Sequence, residues 1–591
     1  MDKQLVNKKE IRTLMKLPPF PGNMIAGFTM GVLKIDKLND IYNNNYKTNP
    51  LEMVESLFAS RGNSLEYIDH ELERIPETGP FIIVCNHPFG GWDGISLLKT
   101  ILPLRPDIKV LTNFMLKKIE PLAPYFIGVN PFETHKNAKS SFAGLREMHK
   151  HLSDGHPVAF FPSGEVATKY KGMDRVTDRA WQNNILKFIY NANVPVIPIF
   201  FKGENSSLFH LFGKIHPLLR TVKLPSEMVR FKNKTISIRI GSPVTPKIKE
   251  DFDNYKLFGS FIRAKTFALN TRLTYFSSLL PDIPSDNIIE PSPKQKLINE
   301  INEIHSKAFL FELENMICYC TSKNNIPNIF REISRLREIT FRQVGEGTGK
   351  SSDFDKYDEY YKHLFIWDKT EQQIVGAYRV GFGKEIFAKY GKKGFYTNTL
   401  FNIKNKFNPI LKASFELGRS FVVSQYQRKT NSLFMLWKGI LILLMKNTDY
   451  RYLIGPVSIS NLYAHNSKAL LVEYFKRNYG DMNLKSLVKP KLEFTYTLNN
   501  EQKLLLDYCG SDIRKIDKLI EEIDPNGMKI PVLLKKYVAQ GGKIICFNID
   551  PDFNFAIDGF MISDIKEIPD TYLKILAKEI DDPALIKRFG D

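Results

Sequence analysis

Short apolar runs alternate with longer helical stretches between residues 81 and 199, and this alternation constrains the fold more than any other feature of the chain. The runs FIIV, VAFF and VPVIPI are rich in β-branched and aromatic residues, whereas 140–152 and 179–190 have helical composition. Strands that alternate with helices in this way favour an α/β layer with a largely parallel sheet. The strand-like ISIRIG at 236–241 is expected to close that sheet.

A second domain is expected after a polar segment at 281–296, where four prolines interrupt the periodicity. Such a composition is typical of an exposed linker. Beyond it, another α/β or α+β domain is expected, which residues from about 500 to 591 complete. Its expected elements are strands at 364–368, 374–381, 415–423 and 452–459 and a helix at 431–446.

The chain carries 83 lysine and arginine residues against 64 aspartate and glutamate residues, a net charge of +19. A surplus of this size attracts nucleic acid, anionic lipid or an acidic carrier protein, and alone it does not choose among them. The five scattered cysteines have no zinc-site spacing and the N-terminus has no apolar signal sequence, so reduced thiols in the cytoplasm are expected. The longest apolar run, 433–445, contains Lys438 and falls short of the roughly 20 residues that span a bilayer, so any membrane contact is expected to be peripheral.

A histidine and an aspartate stand on a glycine-rich turn directly after the first apolar run. Asn86 and His87 follow FIIV, and Gly90, Gly91 and Asp93 come next. In open α/β sheets ligands bind at the carboxyl ends of strands, and an imidazole oriented by a carboxylate can take a proton from a hydroxyl. A surface turn without chemistry is the alternative for a lone histidine, so the interpretation depends on further motifs.

Three later motifs, GVNPF at 128–132, FPSGE at 161–165 and VPVIPI at 194–199, follow in order. With the turn, they resemble the four blocks of the lysophospholipid and glycerol-phosphate acyltransferase family. The resemblance implies an O-acyltransferase domain over 61–278, preceded by a helical, membrane-proximal segment over 1–60. It implies His87 as the catalytic base with Asp93 orienting it. The substrate-binding residues implied on this side are Asn86, Gly90, Gly91, Gly128, Phe132, Phe161, Pro162, Gly164 and Glu165.

This chain departs from the family pattern at two places. Five residues rather than four separate His87 from Asp93, an extra length that glycines can accommodate because they adopt positive φ without steric cost. Val166 stands where the family has an arginine for the acceptor's phosphate, a group that arginine binds with its planar fork. The acceptor is therefore expected not to be a glycerol phosphate. Glu165 suits a cationic or zwitterionic acceptor, with a solvated turn carboxylate as the alternative. Backbone N–H groups near 90–94 or 163–165 are the expected oxyanion donors.

The segment GEGTGKS at 345–351 invites comparison with a phosphate-binding loop. That loop requires a glycine where Val344 stands, and it requires a strand before it, whereas the preceding LREITFRQ has helical composition. A flexible glycine turn is therefore expected, and nucleotide binding is not.

The series LREITFR, DFDKYDEYYKHLFIWD, IVGAYRVG and FELGRSFVV resembles the acyl-homoserine-lactone-synthase branch of the Gcn5-related acyltransferases. It is more similar to the N-acyltransferases that begin ornithine-lipid and glycine-lipid synthesis. A tryptophan expected shortly after Phe341 in the lactone synthases is missing, which argues against lactone formation. The resemblance implies a linker at 279–298 and an N-acyltransferase domain over 299–591. It implies Glu416 as a base or amine anchor, with a structural Glu/Arg pair as the alternative. The implied substrate-binding residues are Arg337, Phe341, Asp355, Asp358, Arg379 and Arg419.

The segment 425–433, QYQRKTNSL, lacks the glycines with which coenzyme A-binding relatives cradle pyrophosphate. Acyl carrier protein, an acidic donor that the positive chain attracts, is therefore expected to deliver its phosphopantetheine thioester as a substrate. Anionic lipid headgroups are a further expected partner for the same charge, whereas nucleic acid is not expected. No metal or redox cofactor is called for.

Together the halves are similar to bifunctional synthases of ornithine or glycine lipids. The expected fold is α/β, with a mixed or parallel glycerolipid-acyltransferase-like sheet followed by a Gcn5-related fold. The expected activity is N-acylation of ornithine or a similar amino acid by a 3-hydroxyacyl thioester, then O-acylation of that lyso-lipid at the cytoplasmic membrane's inner face. A lysophospholipid O-acyltransferase with a non-catalytic second domain is the alternative enzyme, and a membrane-perturbing protein is the non-enzymatic alternative.

Overall fold

The structure, a computed structural model, describes residues 5–14, 18–129, 139–170, 175–215, 217–271, 273, 285–427 and 432–569. Two compact units compose it: unit 1 is Met1–Leu273 with Asn499–Tyr508, and unit 2 is Thr274–Leu498 with Cys509–Asp591. Across these described ranges, no helix is both long and apolar enough to cross a bilayer.

Unit 1 is built on a seven-stranded sheet in the order β1-β7-β6-β2-β5-β3-β4. Neighbouring strands run parallel except β6 and β7, so the expected largely parallel sheet is present. The central strand β2 is buried along its whole length, and its carboxyl end leads to His87. The strands are β1 Ser64–Glu66, β2 Ile82–Cys85, β3 Lys109–Asn113, β4 Phe126–Val129, β5 Val158–Phe160, β6 Val196–Lys202 and β7 Thr235–Ile240.

The helices Pro50–Arg61 and Gly91–Ile101 pack apolar residues into one core with this sheet. Near the N-terminus, Val6, Ala26, Met30 and Ile35 form a separate hydrophobic cluster. The predicted helix at 179–190 begins only at Asn183, because Asp178 and Trp181 are engaged in the loop before it. The helices are Lys8–Leu14, Pro19–Val32, Ile35–Asn45, Pro50–Arg61, Asp69–Leu72, Gly91–Ile101, Lys139–Ser153, Asn183–Asn191, Ser207–Ile215, Pro217–Arg230, Pro246–Lys249, Tyr255–Ala268 and, from the later sequence, Asn500–Cys509.

Unit 2 is built on an eight-stranded sheet in the order β16-β17-β14-β13-β11-β10-β9-β8, with β12 and β15 as a separate pair. All neighbours are antiparallel except β13 and β14. The strands expected from the sequence in this half are therefore present. The strands are β8 Phe309–Leu313, β9 Met316–Ser322, β10 Lys362–Asp368, β11 Gln373–Phe382, β12 Phe401–Ile403, β13 Ser414–Val422, β14 Tyr452–Ile459, β15 Val488–Pro490, β16 Lys543–Asp550 and β17 Ala556–Asp564.

The parallel strands β13 and β14 pair only at their beginnings, where Ser414–Glu416 face Tyr452–Ile454. Further along, β13 bulges where its register with β11 shifts, and Arg419 there adopts φ +51°. We call the region between these two strands, beyond their last paired residues Glu416 and Ile454, the crevice, and we take it as the candidate substrate site of unit 2.

The helices of unit 2 include one, Lys294–Ala308, that begins inside the predicted linker 279–298, directly after Pro293. The segment Asn499–Tyr508 also differs from expectation, since it belongs to unit 1 although the sequence suggested that 299–591 form one domain. The other helices are Pro327–Gln343, Gly383–Tyr390, Thr397–Leu400, Asn408–Lys412, Ser424–Gln427, Ser432–Lys446, His465–Tyr479, Ile513–Ile523 and Val532–Ala539.

Candidate active sites

His87 and Asp93 meet in unit 1, in the loop between β2 and the helix Gly91–Ile101. The Nδ1 atom of His87 lies 2.7 Å from Oδ2 of Asp93, which also accepts bonds of 2.9 Å from the backbone N–H groups of Phe89 and Gly90. The Asp93 side chain is fully buried, whereas that of His87 is 19% exposed. Burial raises the pKa of Asp93, although the bonds from His87 and the two N–H groups oppose this rise. An imidazole held by a carboxylate at Nδ1 can accept a hydroxyl proton at Nε2.

The glycines of this loop explain how five intervening residues still allow the pair to form. Gly90 adopts φ +78°, a conformation that glycine reaches without steric cost. At Gly91, a Cβ atom would lie 2.6 Å from the sulfur of Met228, so a side chain there would displace the packing. Both glycines therefore shape the loop, and their predicted contact with substrate stays a prediction.

Two polar side chains fix the main chain around His87. The amide of Asn86 donates to the carbonyl of Phe201 at 2.8 Å and accepts from its N–H at 2.7 Å, which ties the loop to β6. The carboxylate of Asp178 accepts the N–H of His87 at 3.1 Å. Asp178 is buried, and burial raises its pKa to about 6. Asn86 thus supports the loop, and Asp178 is a neighbour of the site that no motif indicated.

The FPSGE turn lies beside the imidazole. The ring of Phe161 is 4.4 Å from that of His87, which confirms that the first and third motifs meet. Pro162 is buried, and Gly164 is exposed with φ +69°. Phe161 therefore covers one side of the histidine, and Pro162 and Gly164 form the turn that places it there.

Glu165 and Val166 bear on the acceptor. One carboxylate oxygen of Glu165 lies 3.0 Å from Nη1 of Arg179, so this carboxylate already has a cation beside it. Val166 is 5% exposed and lies 3.4 Å from the position of a Cβ atom on Gly90. A buried valine cannot bind a phosphate, which supports the expectation about the acceptor, whereas the ion pair weakens the argument that Glu165 attracts a cationic one.

The second motif and the expected oxyanion donors agree less well with the predicted site around His87. Gly128 lies in β4, which β5 and β3 separate from β2, and Phe132 lies outside the described residues. The N–H of Gly90 is bonded to Asp93, and that of Gly164 donates to the carbonyl of Phe161 at 3.0 Å. These two N–H groups therefore do not serve as oxyanion donors in this conformation.

Unit 2 contains a buried ion-pair network around Arg337. Its Nη2 atom lies 3.0 Å from Oδ2 of Asp358, and its Nε atom lies 2.8 Å from Oδ2 of Asp353. None of these three side chains is more than 1% exposed. Burial would lower the pKa of Arg337, but the two aspartates leave it raised. Burial would raise the pKa of Asp358, but the neighbouring arginines hold it well below its ordinary value.

Arg379 and Arg419 extend this network toward the crevice. Arg379 lies 2.6 Å from Asp355 and 3.4 Å from Asp358, and Arg419 lies 3.3 Å from Asp355. Three arginines thus face three aspartates, so the network balances its own charge. The network contains five residues predicted from the sequence, Arg337, Asp355, Asp358, Arg379 and Arg419, together with Asp353. Because these charges are paired with one another, most of the side chains support the site and are not free to bind a ligand.

Arg419 is the member of the network that reaches the crevice. Its guanidinium lies 4.1 Å from the ring centroid of Phe553 and 5.4 Å from that of Tyr396. Phe341, predicted to bind substrate, lies 6.2 Å from the same Phe553 ring. Left-handed backbone at a residue other than glycine persists where the surroundings fix it, commonly at functional sites.

The carboxylate of Glu416 is already hydrogen-bonded to neighbouring residues of the protein. Its carboxylate accepts the hydroxyl of Tyr361 and the N–H groups of Tyr396 and Thr397, at 2.9 and 2.7 Å for the latter two. The side chain is 1% exposed. A carboxylate that accepts three hydrogen bonds is poorly placed to take a proton from an amine. Its predicted role as a base stays a prediction, and these contacts favour the anchoring of the 394–397 segment instead.

Three other acids lie at the crevice, and no motif indicated them. Glu346 is half-buried, and burial raises its pKa to about 7 although Arg419 opposes the rise. Burial also raises the pKa of Asp558 to about 8, and it raises that of Asp550. Asp558 accepts the hydroxyl of Ser458 on β14 at 2.6 Å. We call Glu346, Asp550 and Asp558 the acid cluster; a cation arriving there would relieve the cost of ionising them.

Glu346 belongs to the GEGTGKS segment, which is an anchored turn rather than the flexible one expected. The buried carboxylate of Glu338 accepts from the N–H of Thr348 at 3.1 Å and from that of Gly349 at 3.0 Å. Asn554 donates to the carbonyl of Gly345 at 3.0 Å. Backbone N–H groups that bind a carboxylate of the protein do not at the same time cradle a phosphate, so in this conformation the N–H groups of Thr348 and Gly349 do not form a phosphate-binding loop.

Comparisons with known protein families identify two successive domains in the chain, one in each half. Residues 14–275 match the family model described as Acyltransferase, and residues 336–438 match that described as Acetyltransferase (GNAT) domain. These two matches confirm the α/β fold class and the order of the two folds.

Three similar proteins are named for their activities. Glycine N(alpha)-acyltransferase of Bacteroides thetaiotaomicron is 30% identical over 282 residues, which cover 46% of this chain and 82% of the relative. Lyso-glycine lipid O-acyltransferase of Phocaeicola vulgatus is 27% identical over 197 residues, 30% of this chain and 66% of the relative. L-ornithine N(alpha)-acyltransferase of Agrobacterium fabrum is 33% identical over 111 residues, 18% of this chain and 36% of the relative.

Proposed function

We propose that this chain, which belongs to the same acyltransferase family as the glycine N(alpha)-acyltransferase of Bacteroides thetaiotaomicron, makes a doubly acylated amino-acid lipid in two steps. In the first, a 3-hydroxyacyl thioester acylates the α-amine of an amino acid. In the second, another thioester acylates the hydroxyl of the attached chain. The observation that carries the proposal is the presence in one chain of a His/Asp pair in unit 1 and an acid cluster in unit 2.

The O-acylation step is proposed for unit 1. Nε2 of His87 takes the proton of the lyso-lipid hydroxyl as its oxygen attacks the thioester carbonyl, and Asp93 holds the imidazolium that forms. The imidazolium then returns the proton to the departing thiolate. The buried Val166 supports an acceptor that needs no phosphate-binding arginine at this position.

The N-acylation step is proposed for the crevice of unit 2. The amine must lose a proton before it attacks, and Glu346 supports this role because it is half-buried beside Arg419 with a pKa that burial raises to about 7. Arg419 supports binding of the amino acid's carboxylate, since its guanidinium is the part of the ion-pair network that reaches the crevice. Glu346 passes this first proton to solvent; the nitrogen loses a second proton as the amide bond forms, and the leaving thiolate takes that proton up and departs as a thiol.

Replacement of Glu346 by glutamine is expected to lower the rate of N-acylation about 100-fold, in the range typical for loss of a general base. In the unmodified chain the rate should rise as the pH passes about 7, because the base acts in its ionised form and burial raises its pKa to that value. The variant should lose this rise. Glu359→Gln, which alters an exposed carboxylate of the same unit paired with Lys323, is the matched control. A variant that keeps both rate and pH profile would exclude Glu346 as the base.

Two observations point to different amino acids as the acceptor of the first acyl group. The relatives that match over long stretches are named for glycine, whereas the acid cluster suits the second ammonium group of ornithine or a similar diamino acid. Mass spectrometry of lipids from a bacterial host that expresses the chain decides between them by the mass of the new headgroup. A host without a new amino-acid lipid, but with altered phospholipids, would favour the alternative lysophospholipid acyltransferase.

Acyl carrier protein is proposed as the donor, because it is acidic and the chain carries a net charge of +19. The segment at 425–433 supports this choice, since it has no glycine with which to cradle the pyrophosphate of coenzyme A. Steady-state rates with the same acyl group on either carrier test it: the protein-bound donor should react faster, and its advantage should shrink as salt is added. Equal rates with the coenzyme A thioester would contradict this part of the proposal.

A peripheral membrane site is proposed at the N-terminal helices, at the inner face of the cytoplasmic membrane. On the helix Pro19–Val32, Met24 is 71% exposed and Phe28 is 77% exposed. Both line a surface groove together with Lys8 and Arg12. Exposed apolar side chains beside cationic ones are what binds the interface of an anionic bilayer.

The variant Phe28→Asp is therefore expected to bind anionic vesicles at least about tenfold more weakly, since a buried aromatic side chain contributes roughly 1.5 to 3 kcal/mol. Cosedimentation with vesicles that contain phosphatidylglycerol measures this. Leu104→Asp, at another exposed apolar residue of unit 1, is the control. Equal losses in both variants would argue against a site at the N-terminal helices.

A further inference from the structure

A helix encoded late in the sequence, Asn500–Cys509, is attached to unit 1 by an ion-pair bridge. Glu501 lies 2.9 Å from Nη2 of Arg175 through one carboxylate oxygen and 2.6 Å from Nη1 of Arg263 through the other. Its side chain is 11% exposed, and that of Arg263 is 22% exposed. Two charge-assisted contacts at a largely buried carboxylate form a stronger attachment than a surface ion pair.

A second contact lies at the other end of this helix. The hydroxyl of Tyr508 donates to Asp251 at 3.0 Å, and its ring stacks on that of Phe252 with centroids 5.5 Å apart. Tyr508 contacts Asp251, Phe252 and Phe261, so it provides a comparison for the effects of Glu501.

Arg263 connects Glu501 to the support of the catalytic histidine. Its other amino group, Nη2, donates to the hydroxyl of Thr177 at 3.3 Å and to the carbonyl of Asp178 at 3.5 Å. The carboxylate of Asp178 in turn accepts the N–H of His87 at 3.1 Å. Contacts therefore run without a break from Glu501 through Arg263 and Asp178 to the main chain of His87.

The charges along this path explain why Glu501 matters. Arg263 acts electrostatically on the carboxylate of Asp178, which is 3% exposed. In the unmodified chain, Nη1 of the Arg263 guanidinium is paired with the carboxylate of Glu501. Without Glu501, the largely buried Arg263 would lack an anionic partner, and the carboxylate of the neighbouring Asp178 could take that place. A rotation of Asp178 toward Arg263 would remove the acceptor of the His87 N–H.

We propose that Glu501 is a positioning residue for O-acylation: by holding Arg263, it keeps the carboxylate of Asp178 on the backbone of His87. This inference rests on the O-acyl transfer proposed for unit 1. It makes the O-acylation step of the full chain dependent on a residue that lies within the sequence of the second half.

The test compares full-length variants in two assays, O-acylation of supplied lyso-lipid and N-acylation of the amino acid. Glu501→Ala should lower the kcat of O-acylation about tenfold with little change in KM, because a displaced base slows the step without weakening binding. N-acylation should be unchanged. Tyr508→Phe, on the same helix, should leave both rates as they are.

The double variant Glu501→Ala/Arg263→Ala separates positioning from loss of structure. If the unpaired arginine is what draws Asp178 away, removing it should restore several-fold of the lost kcat. Unchanged O-acylation in Glu501→Ala, an equal loss in Tyr508→Phe, a proportional fall in N-acylation, or a double variant no faster than the single one would each overturn the proposal. An unmodified chain that does not O-acylate the lyso-lipid would instead refute the proposed function.

Discussion

Replacement of His87 by alanine is expected to lower the rate of O-acylation about 10³-fold, in the middle of the range for loss of a general base. The imidazole of His87 is held at Nδ1 by the fully buried Asp93. The backbone N–H of His87 is bound by the buried carboxylate of Asp178, so both the ring and the main chain are held in place. Alanine removes the only group proposed to take the hydroxyl proton. In a host that expresses this variant, the singly acylated amino-acid lipid should accumulate and the doubly acylated one should vanish, as read by mass spectrometry.

The control for this prediction is His70→Ala, which removes an exposed histidine of the same unit and should leave both lipids unchanged. Asp93→Asn should also slow O-acylation, because an amide no longer stabilises the imidazolium. A His87→Ala chain that still makes the doubly acylated lipid at the normal rate would refute the role of the pair.

The second large effect concerns stability. Replacement of Arg337 by methionine is expected to destabilise unit 2 by about 3 to 5 kcal/mol, the cost of leaving buried charges without their partner. Asp353 and Asp358 are each no more than 1% exposed and both face this arginine, so neither can turn to solvent. Chemical denaturation followed by N-acylation activity measures the loss. O-acylation of supplied lyso-lipid should persist, since unit 1 does not contain the network.

Arg331→Met, on the exposed face of the same helix, is the matched control and should cost less than about 1 kcal/mol. The pH dependence gives an independent check. Because the arginines hold the pKa of Asp358 below its ordinary value, their stabilising effect is present above that value and is lost as the solution becomes strongly acidic. Arg337→Met should therefore depend less on acidity than the unmodified chain. Equal stabilities for Arg337→Met and the control would show that the network contributes little.

The parts of the fold that repeat a local pattern were predictable. The buried strand β2, the hairpin of β10 and β11 and the apolar helix Ser432–Lys446 each show in the sequence as a periodic run with clear ends. The pairing of His87 with Asp93 was also predictable, because both residues stand on one glycine-rich turn. These features depend on neighbours in the sequence.

The features that were not predictable join distant segments. Asp178 reaches His87 across 91 positions, and the acid cluster combines Glu346 with two residues more than 200 positions later. No periodicity or spacing connects such residues, and Glu346 stands in a segment that resembled a phosphate loop. The carboxylate of Glu416 illustrates the reverse, since its motif indicated a base, while two of its three hydrogen-bond donors, the N–H groups of Tyr396 and Thr397, come from a segment that the motif series does not contain.

One measurement tests most directly whether a single chain performs two separable acyl transfers. Purified His87→Ala and Glu346→Gln proteins are each supplied with amino acid and acyl carrier protein thioesters, alone and then mixed. Each variant alone should fail to make the doubly acylated lipid at an appreciable rate, and the mixture should make it, because the lyso-lipid released by the first becomes the substrate of the second. A mixture that yields no doubly acylated lipid, while the unmodified chain does, would contradict the assignment of the two steps to two sites.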